Sequence, residues 1–234
     1  GDDHFDWSEG YVGRNQFLIG LQVSRLLPAP GTGTISTDPQ GIEADGCNGS
    51  GCTSGFRSTP YSDPTFLNLT MVGSGSVEMQ AAGGVGAVLR RGTKGLIQNS
   101  IIARWKGTGV TVRDSVTGNI LAADSLNLRD LVLAENTRGD YDSTTGANFG
   151  QAPNFTADSH RTAATAASII TSLNPAGLDW RPTGTAASGC GTMTIPAART
   201  AGFFGGAMPN TAYCGAVDPA GTQWYQGWTV YVVN

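Results

Sequence analysis

The sequence predicts an all-β protein built as a solenoid of stacked parallel strands, and three observations carry that expectation. The first is composition: among 234 residues there are 34 glycines and only 14% charged residues, a mixture poor in helix formers and rich in turn formers. The second is that the apolar runs are short and bounded by Gly, Thr and Lys. Ala87-Val88-Leu89, Leu96 to Ala103 and Val110-Thr111-Val112 are each too short for a stable helix and enriched in strand formers. The third is recurrence. Gly86-Ala-Val-Leu-Arg-Arg91 and Gly109-Val-Thr-Val-Arg-Asp114 read as one strand type met twice, about 23 residues apart, the period of one solenoid turn. Leu67 to Val72, Gln98 to Ala103 and Arg129 to Ala134 superpose as a second strand type, with Gln16 to Gly20 a weaker fourth copy. Equivalent positions in such a stack lie about 4.8 Å apart, so Asn68, Asn99 and Asp130 are expected to form an inward polar ladder at a bend.

Taken in order, the chain opens on an acidic motif, Asp2 to Gln16, which runs into a strand over Phe17 to Val23. Pro28 to Gly33 and Gly46 to Pro64 are rich in Gly, Ser, Thr and Pro and read as loops inserted between coils, the usual place for binding surfaces on a solenoid. Residues 1–136 are assigned to coils with inserted loops. Residues 137–234 are assigned to a loop, a capping helix and a return segment of the same domain. The helix is expected over Ser159 to Leu173: its alanines, Ile169, Ile170 and Leu173 give an apolar face, Asp158 or Ser159 can cap it, and Asn174-Pro175 stops it. From Leu178 onward Trp180, Phe203, Phe204, Trp224 and Trp228 concentrate aromatic mass, as expected of a segment packed on that helix.

The net charge of -4 argues against a nucleic-acid binder, since phosphate recognition needs clustered Lys and Arg. No apolar run reaches the length of a transmembrane helix, and no signal peptide is seen. The first residues already lie inside a motif, from which a processed or truncated form lacking upstream residues is expected. Of the three pairings open to four cysteines, Cys47 with Cys52 and Cys190 with Cys214 is the economical one. A four-thiolate zinc site competes with it, though Cys190 and Cys214 lack the close spacing such sites use. Disulfides imply an oxidising compartment.

Several motifs together carry a resemblance. Asp2-Asp3-x-Phe5-Asp6-x-x-x-Gly10-Tyr11-x-Gly13-x-x-Gln16, Gly41-Ile42-Glu43-x-Asp45, Gly86-Ala87-x-Leu89-Arg90-Arg91 and Asn99-Ser100-Ile101-Ile102 follow one another in that order. The C-terminal Phe203 to Ala207, Tyr213-x-Gly215-Ala216 and Trp224-x-x-Gly227-Trp228-Thr229 follow them. The whole resembles a family of secreted bacterial right-handed parallel β-helix proteins, similar in fold to pectate lyases. The resemblance implies further coils upstream of Asp2. Phe17 departs from it, standing where the family often has the ladder Asn.

Among candidate sites the acidic set ranks first. Asp3, Asp6, Glu43 and Asp45 fall on one face if their strands are neighbours, and hard oxygen ligands of this kind suit Ca²⁺. The competing expectation is that Arg90 and Arg91 neutralise them as an ion-pair ladder. His4 lies beside these carboxylates in sequence and is a general-base candidate, whereas His160 is expected to be exposed. Lys94, Arg90, Arg91 and Arg113 are the basic groups a polysaccharide lyase would need. Trp7, Tyr11 and Trp105 are candidates for stacking on sugar rings, with core packing as the plainer alternative. Sequons at Asn48, Asn68 and Asn154 complete the inventory. No complete catalytic constellation is legible, so the expectation is a non-catalytic extracellular or periplasmic structural protein. A carbohydrate-active lyase or hydrolase and a carbohydrate-binding module are the alternatives. The expected partners are a surface polysaccharide, or another polypeptide or further coils at the open end of the stack.

Overall fold

A computed structural model of the chain describes residues 2–22, 36, 38–75, 84–142, 160–200 and 206–229. The Pro28 to Gly33 loop, Asn154 and the Phe203-Phe204 pair lie outside them. The strands come in chain order as β1 (Phe5–Trp7), β2 (Arg14–Leu21), β3 (Gln40–Asp45), β4 (Thr65–Val72), β5 (Val85–Arg90), β6 (Gly95–Ala103), β7 (Val110–Val112), β8 (Leu126–Ala134) and β9 (Arg161–Ala163). Up to β8 they alternate between two parallel sheets, and β9 follows β8 in the second. One runs β1-β3-β5-β7 and the other β2-β4-β6-β8-β9. The stacked repeats read from the sequence are therefore the rungs of a parallel β-helix, and β9 adds a rung beyond residue 136.

Alternation along each strand sorts side chains between the space enclosed by the sheets and their outer faces. Ile42, Leu69, Met71, Leu89, Ile102 and Leu131 fill the enclosed core with Trp105, which is wholly buried. Trp105 needs room, and glycine supplies it: a Cβ on Gly41 would lie 2.7 Å from its ring and 2.4 Å from the Gly86 carbonyl of the next rung. Gly86 in turn would clash with the Gly109 carbonyl at 2.4 Å. The column Gly41, Gly86, Gly109 is thus a packing requirement between rungs.

The second sheet is creased. Phe17, Asn68, Asn99 and Asp130 all adopt left-handed backbone, with φ of 60°, 53°, 50° and 49°. Cross-strand pairing skips this position in each rung. The ladder expected from the sequence is present, but it faces outward, not inward. A left-handed residue breaks the alternation, so Leu67 and Asn68 both turn to the outer face and Leu69 resumes the inner one. There the ladder meets the C-terminal segment. Asn99 Nδ2 donates to the carbonyls of Gly191 and Tyr213, both at 3.1 Å, and Asn68 Nδ2 donates to Thr211 Oγ1 at 3.0 Å.

The helix expected over Ser159 to Leu173 is not formed. Its described part gives β9, a 3₁₀ turn at Ala166–Ser168 and β10 (Ile170–Ser172), which pairs antiparallel with β11 (Asp179–Pro182). The alanine-rich face that suggested a helix packs instead as strand and turn on the outer layer, where Ala166, Ile169 and Ile170 join Val72, Ile101, Val132 and Trp180. Tertiary burial here overrides helix propensity. A helix the sequence did not signal, α1 (Ser115–Ala122), connects β7 to β8. Asp114 caps it by accepting from Thr117 N at 2.8 Å, and Ile120 and Leu121 pack on the enclosed core. Short helices α2 (Gly184–Ser188) and α3 (Ala197–Thr200) follow later. Both disulfides take the economical pairing, Cys47 with Cys52 and Cys190 with Cys214. His160 is buried, not exposed: its Nδ1 accepts from Tyr141 Oη at 2.7 Å and its Nε2–H donates to the Leu128 carbonyl at 2.9 Å.

Replacing Asn99 by Ala removes the amide donor and puts a Cβ-bearing residue without a local hydrogen bond into left-handed backbone, and should cost about 2–4 kcal/mol of unfolding free energy. Asn99→Gly keeps the conformation and loses only the donor, so it should cost less. Urea denaturation of the two variants checks the ordering; equal losses would mean the backbone conformation plays no part.

Candidate functional site

The acidic residues gather where β1 and β3 lie side by side. The register sets Asp6 beside Glu43 and, one rung on, Asp45 beside Arg90. Because Phe5, Trp7, Ile42 and Ala44 point inward, Asp6, Glu43 and Asp45 must point outward, so period-two alternation alone gathers the set. Asp3 joins from the turn before β1, its Oδ1 accepting from Gln40 N at 2.6 Å.

The structure splits the set in two. Asp45, 2% exposed, is held by Arg90 Nε at 2.6 Å and by the Arg91 guanidinium, while Arg90 also reaches Glu43. This is the expected ion-pair ladder, and it spends both arginines. Asp3, Asp6 and Glu43 instead converge, each offering an oxygen within 4.8 Å of the others. Burial raises the Asp3 carboxyl to about 7, reinforced by the charges of Glu43, Asp2 and Asp6 and opposed by the Gln40 amide. Asp6 is raised by burial and by Asp45, and Glu43 by burial despite Arg90 beside it. Three carboxylates that resist ionising together form an oxygen-rich set whose chemistry suits Ca²⁺.

The other predicted groups are placed elsewhere. His4 turns inward, edge-on to Trp105 with ring centroids 6.3 Å apart, so it does not face the carboxylates. Lys94 sits over the Tyr61 ring, 4.3 Å from its centroid. Trp7 is 6% exposed, stacks on Phe66 at 4.8 Å and donates to Thr93, and Trp105 is wholly buried. Core packing claims both rings, and only Tyr11, 38% exposed, presents a surface to a sugar.

Sequence reasoning did not find the cleft at the first rung. Phe5, Phe17, Leu18 and Ile19 line one side of a cavity of about 800 Å³, and Trp180, Trp224 and Trp228 line the other. Trp224 and Trp228 stack at 5.9 Å, and Trp228 is 68% exposed. The available signal was Phe17, an aromatic residue at the bend position that Asn68, Asn99 and Asp130 occupy in the following rungs.

Asp3 allows a signed test. Its folded pKa lies above the ordinary value of 3.8, so between those pH values the folded state holds more protons than the unfolded one. Stability should therefore fall as pH rises from about 4 to about 7, with the cost fully present above 7. Asp3→Asn should flatten part of that slope in thermal melts taken across the window. An Asp3→Asn profile parallel to that of the unsubstituted protein would show that Asp3 does not titrate there.

The chain matches the sequence model of the pectate-lyase-like β-helix domain over residues 1–181. No curated protein and no solved structure gives a match.

Proposed function

The chain belongs to the pectate-lyase-like β-helix domain family, and from that footing we propose that it is a non-catalytic structural or surface-interaction protein of the extracellular or periplasmic space. One observation carries the reading: the ionisable groups and the large cavity are in different places. Arg90 and Arg91 are engaged with Asp45 and Glu43, and Lys94 with Tyr61, which leaves these bases poorly placed to take a proton next to a substrate carboxylate. The described residues lining the cavity of about 800 Å³ are mostly apolar and aromatic, and Tyr225 is the one titratable group among them. A cleft whose described lining holds no carboxylate, imidazole or amine suits binding. Kinship in fold with lyases is no warrant for lyase chemistry, which depends on the site. Two disulfides support an oxidising compartment, and no helix of the described residues is long and apolar enough to cross a membrane.

The test is incubation with uronic-acid polysaccharides while following the absorbance of unsaturated products. No product above the buffer control is expected. Steady turnover that scales with protein concentration would overturn the proposal.

A second reading concerns Asp3, Asp6 and Glu43, which we propose as a Ca²⁺ site of structural purpose, favoured by their convergence within 4.8 Å. Bound ion would relieve the mutual repulsion and stabilise the fold by linkage. Adding CaCl₂ should raise the melting temperature saturably, and Asp6→Asn should abolish the rise. A melting temperature indifferent to CaCl₂ would sink this reading and leave compensation of this face to Arg90 and Arg91.

A further inference from the structure

We propose that a notch on the flank of the stack, between the β3–β4 loop and α1, binds a small organic carboxylate with an apolar body. The site is separate from the aromatic cleft and from the acidic set, and it stands whether or not the interaction role proposed above does.

The notch follows from the lengths of three connections. β3, β5 and β7 are neighbours in one sheet and each passes to a strand of the other, so their connections emerge side by side on one flank. The outer two are long: residues 46–64, closed at their start by the Cys47–Cys52 disulfide, and residues 113–125, which carry α1. The middle one is residues 91–94 alone. A short connection between two long ones leaves a gap, here a cavity of about 270 Å³. Arg57 and Tyr61 line it from the loop, Lys94 from the short connection, and Val116, Ile120 and Ala123 from α1. Both walls are tied to the floor. Lys94 N donates to the Ser62 carbonyl and Gly92 N to Thr117 Oγ1, both at 2.8 Å. A Cβ on Gly92 would clash with the Phe56 carbonyl, so loop and short connection meet backbone to backbone. The site is therefore preorganised.

Charge identifies the head of the occupant. Arg90, Arg91, Arg129, Arg161, Arg181 and Arg199 each meet a carboxylate. Among the described residues Arg57 and Lys94 meet none, although the chain has a net charge of -4. Lys94 lies over the Tyr61 ring, a contact that orients the ammonium without neutralising it. The described lining holds no Asp or Glu, and Asp124, its neighbour in sequence, turns to Arg129 at 3.4 Å. Nor do the two cations serve the end of α1. The carbonyls of Asn119, Ile120 and Leu121 accept from the amides of Ala123, Ser125 and Asp124. A guanidinium fork beside an ammonium is a donor set for a carboxylate.

The opposite wall identifies the body. Val116, Ile120 and Ala123 recur at the spacing of one helical face and bring aliphatic carbon to the cavity. Beyond Tyr61, only Asn119 and Ser125 add neutral polar side chains to the described lining. A sugar acid would need partners there for its ring of hydroxyl groups, and an inorganic anion would leave the aliphatic wall unused. An aromatic or short aliphatic acid uses both walls.

The probe is benzoate, titrated into the isotope-labelled full chain, with benzyl alcohol and inorganic phosphate as controls that carry the ring or the charge alone. Saturable shifts of the amide signals of Lys94 and of Asn119 to Ser125 are expected with benzoate, at a dissociation constant of about 1 mM. Both controls should bind at least about tenfold more weakly. Arg57 is exposed, so Arg57→Gln should leave the melting temperature unchanged and weaken benzoate about tenfold. Val116→Ser should weaken benzoate and leave the response to phosphate as it was. Four results would overturn the proposal: no saturable shift by about 20 mM benzoate, equal binding of either control, tighter binding of galacturonate than of benzoate, or an undiminished response in folded Arg57→Gln. Shifts confined to Phe17, Trp224 and Trp228 would place the probe in the aromatic cleft and overturn it as well. Lyase turnover would bear on the non-catalytic reading alone, and failure of benzoate to bind would bear on this site alone.

Discussion

Each full rung of the second sheet turns at a single left-handed residue, and most of the molecule can be read as the consequence of satisfying that turn. A left-handed bend breaks alternation, sends two consecutive side chains to the outer face, and interrupts the ladder of hydrogen bonds at one position per rung. Asn68 and Asn99 tolerate the conformation and offer amides, but their partners lie across the outer face, not along the strand. The carbonyls of Gly191 and Tyr213 and the hydroxyl of Thr211 meet them. The segment supplying those groups is pinned by the Cys190–Cys214 disulfide, and the Asp130 carbonyl lies 2.9 Å from Cys214 Sγ, in the ladder residue of the following rung. The C-terminal segment is thus the second half of the outer layer, and without it buried amides and the outer-face side chains Val72, Ile101 and Val132 would face water.

Electrostatics on the other sheet follows the same geometry with a different result. Register puts acids of adjacent rungs about 4.8 Å apart, too close for ionised carboxylates to coexist without compensation. One rung on, β5 ends in Arg90 followed by Arg91, and the two guanidinium groups settle on the deeper carboxylate, Asp45. Burying Asp45 so completely is tolerable because both of its oxygens are paired. Among the described residues Asp3 has no arginine to pair with, and burial, reinforced by the charges of Glu43, Asp2 and Asp6, pushes its carboxyl up to about 7. The charge imbalance is therefore concentrated on the first rung.

How much of this the sequence disclosed depended on the range of the forces involved. The rungs were legible because strand alternation and glycine spacing are local: Gly86 and Gly109 mark equivalent positions, and Asn68, Asn99 and Asp130 identify the bend. Which way the ladder faces was not legible, because a single left-handed residue inverts the alternation beyond it. The disulfide pairing followed from spacing. The helix expected at Ser159 to Leu173 failed because Ala166, Ile169 and Ile170 bury against strands distant in sequence, and α1 was hidden by Gly118 in its middle. The carboxylates of the acidic set could be named from the motif, but its division between Asp45 and the Asp3, Asp6, Glu43 trio depends on the reach of two arginine side chains. The cleft was least legible of all, since its walls come from residues 5–21 and 176–229.

That distance matters for how the cleft behaves. In a stack, each rung draws stability from the neighbour on either side, and among the described residues β2 pairs with β4 alone. The first rung should then open more readily than those behind it, since local stability falls where buried apolar contacts are fewest. The crowded carboxylates and the half-buried side chains of β2 fall on this same rung, and Phe17 occupies there the bend that Asn satisfies elsewhere.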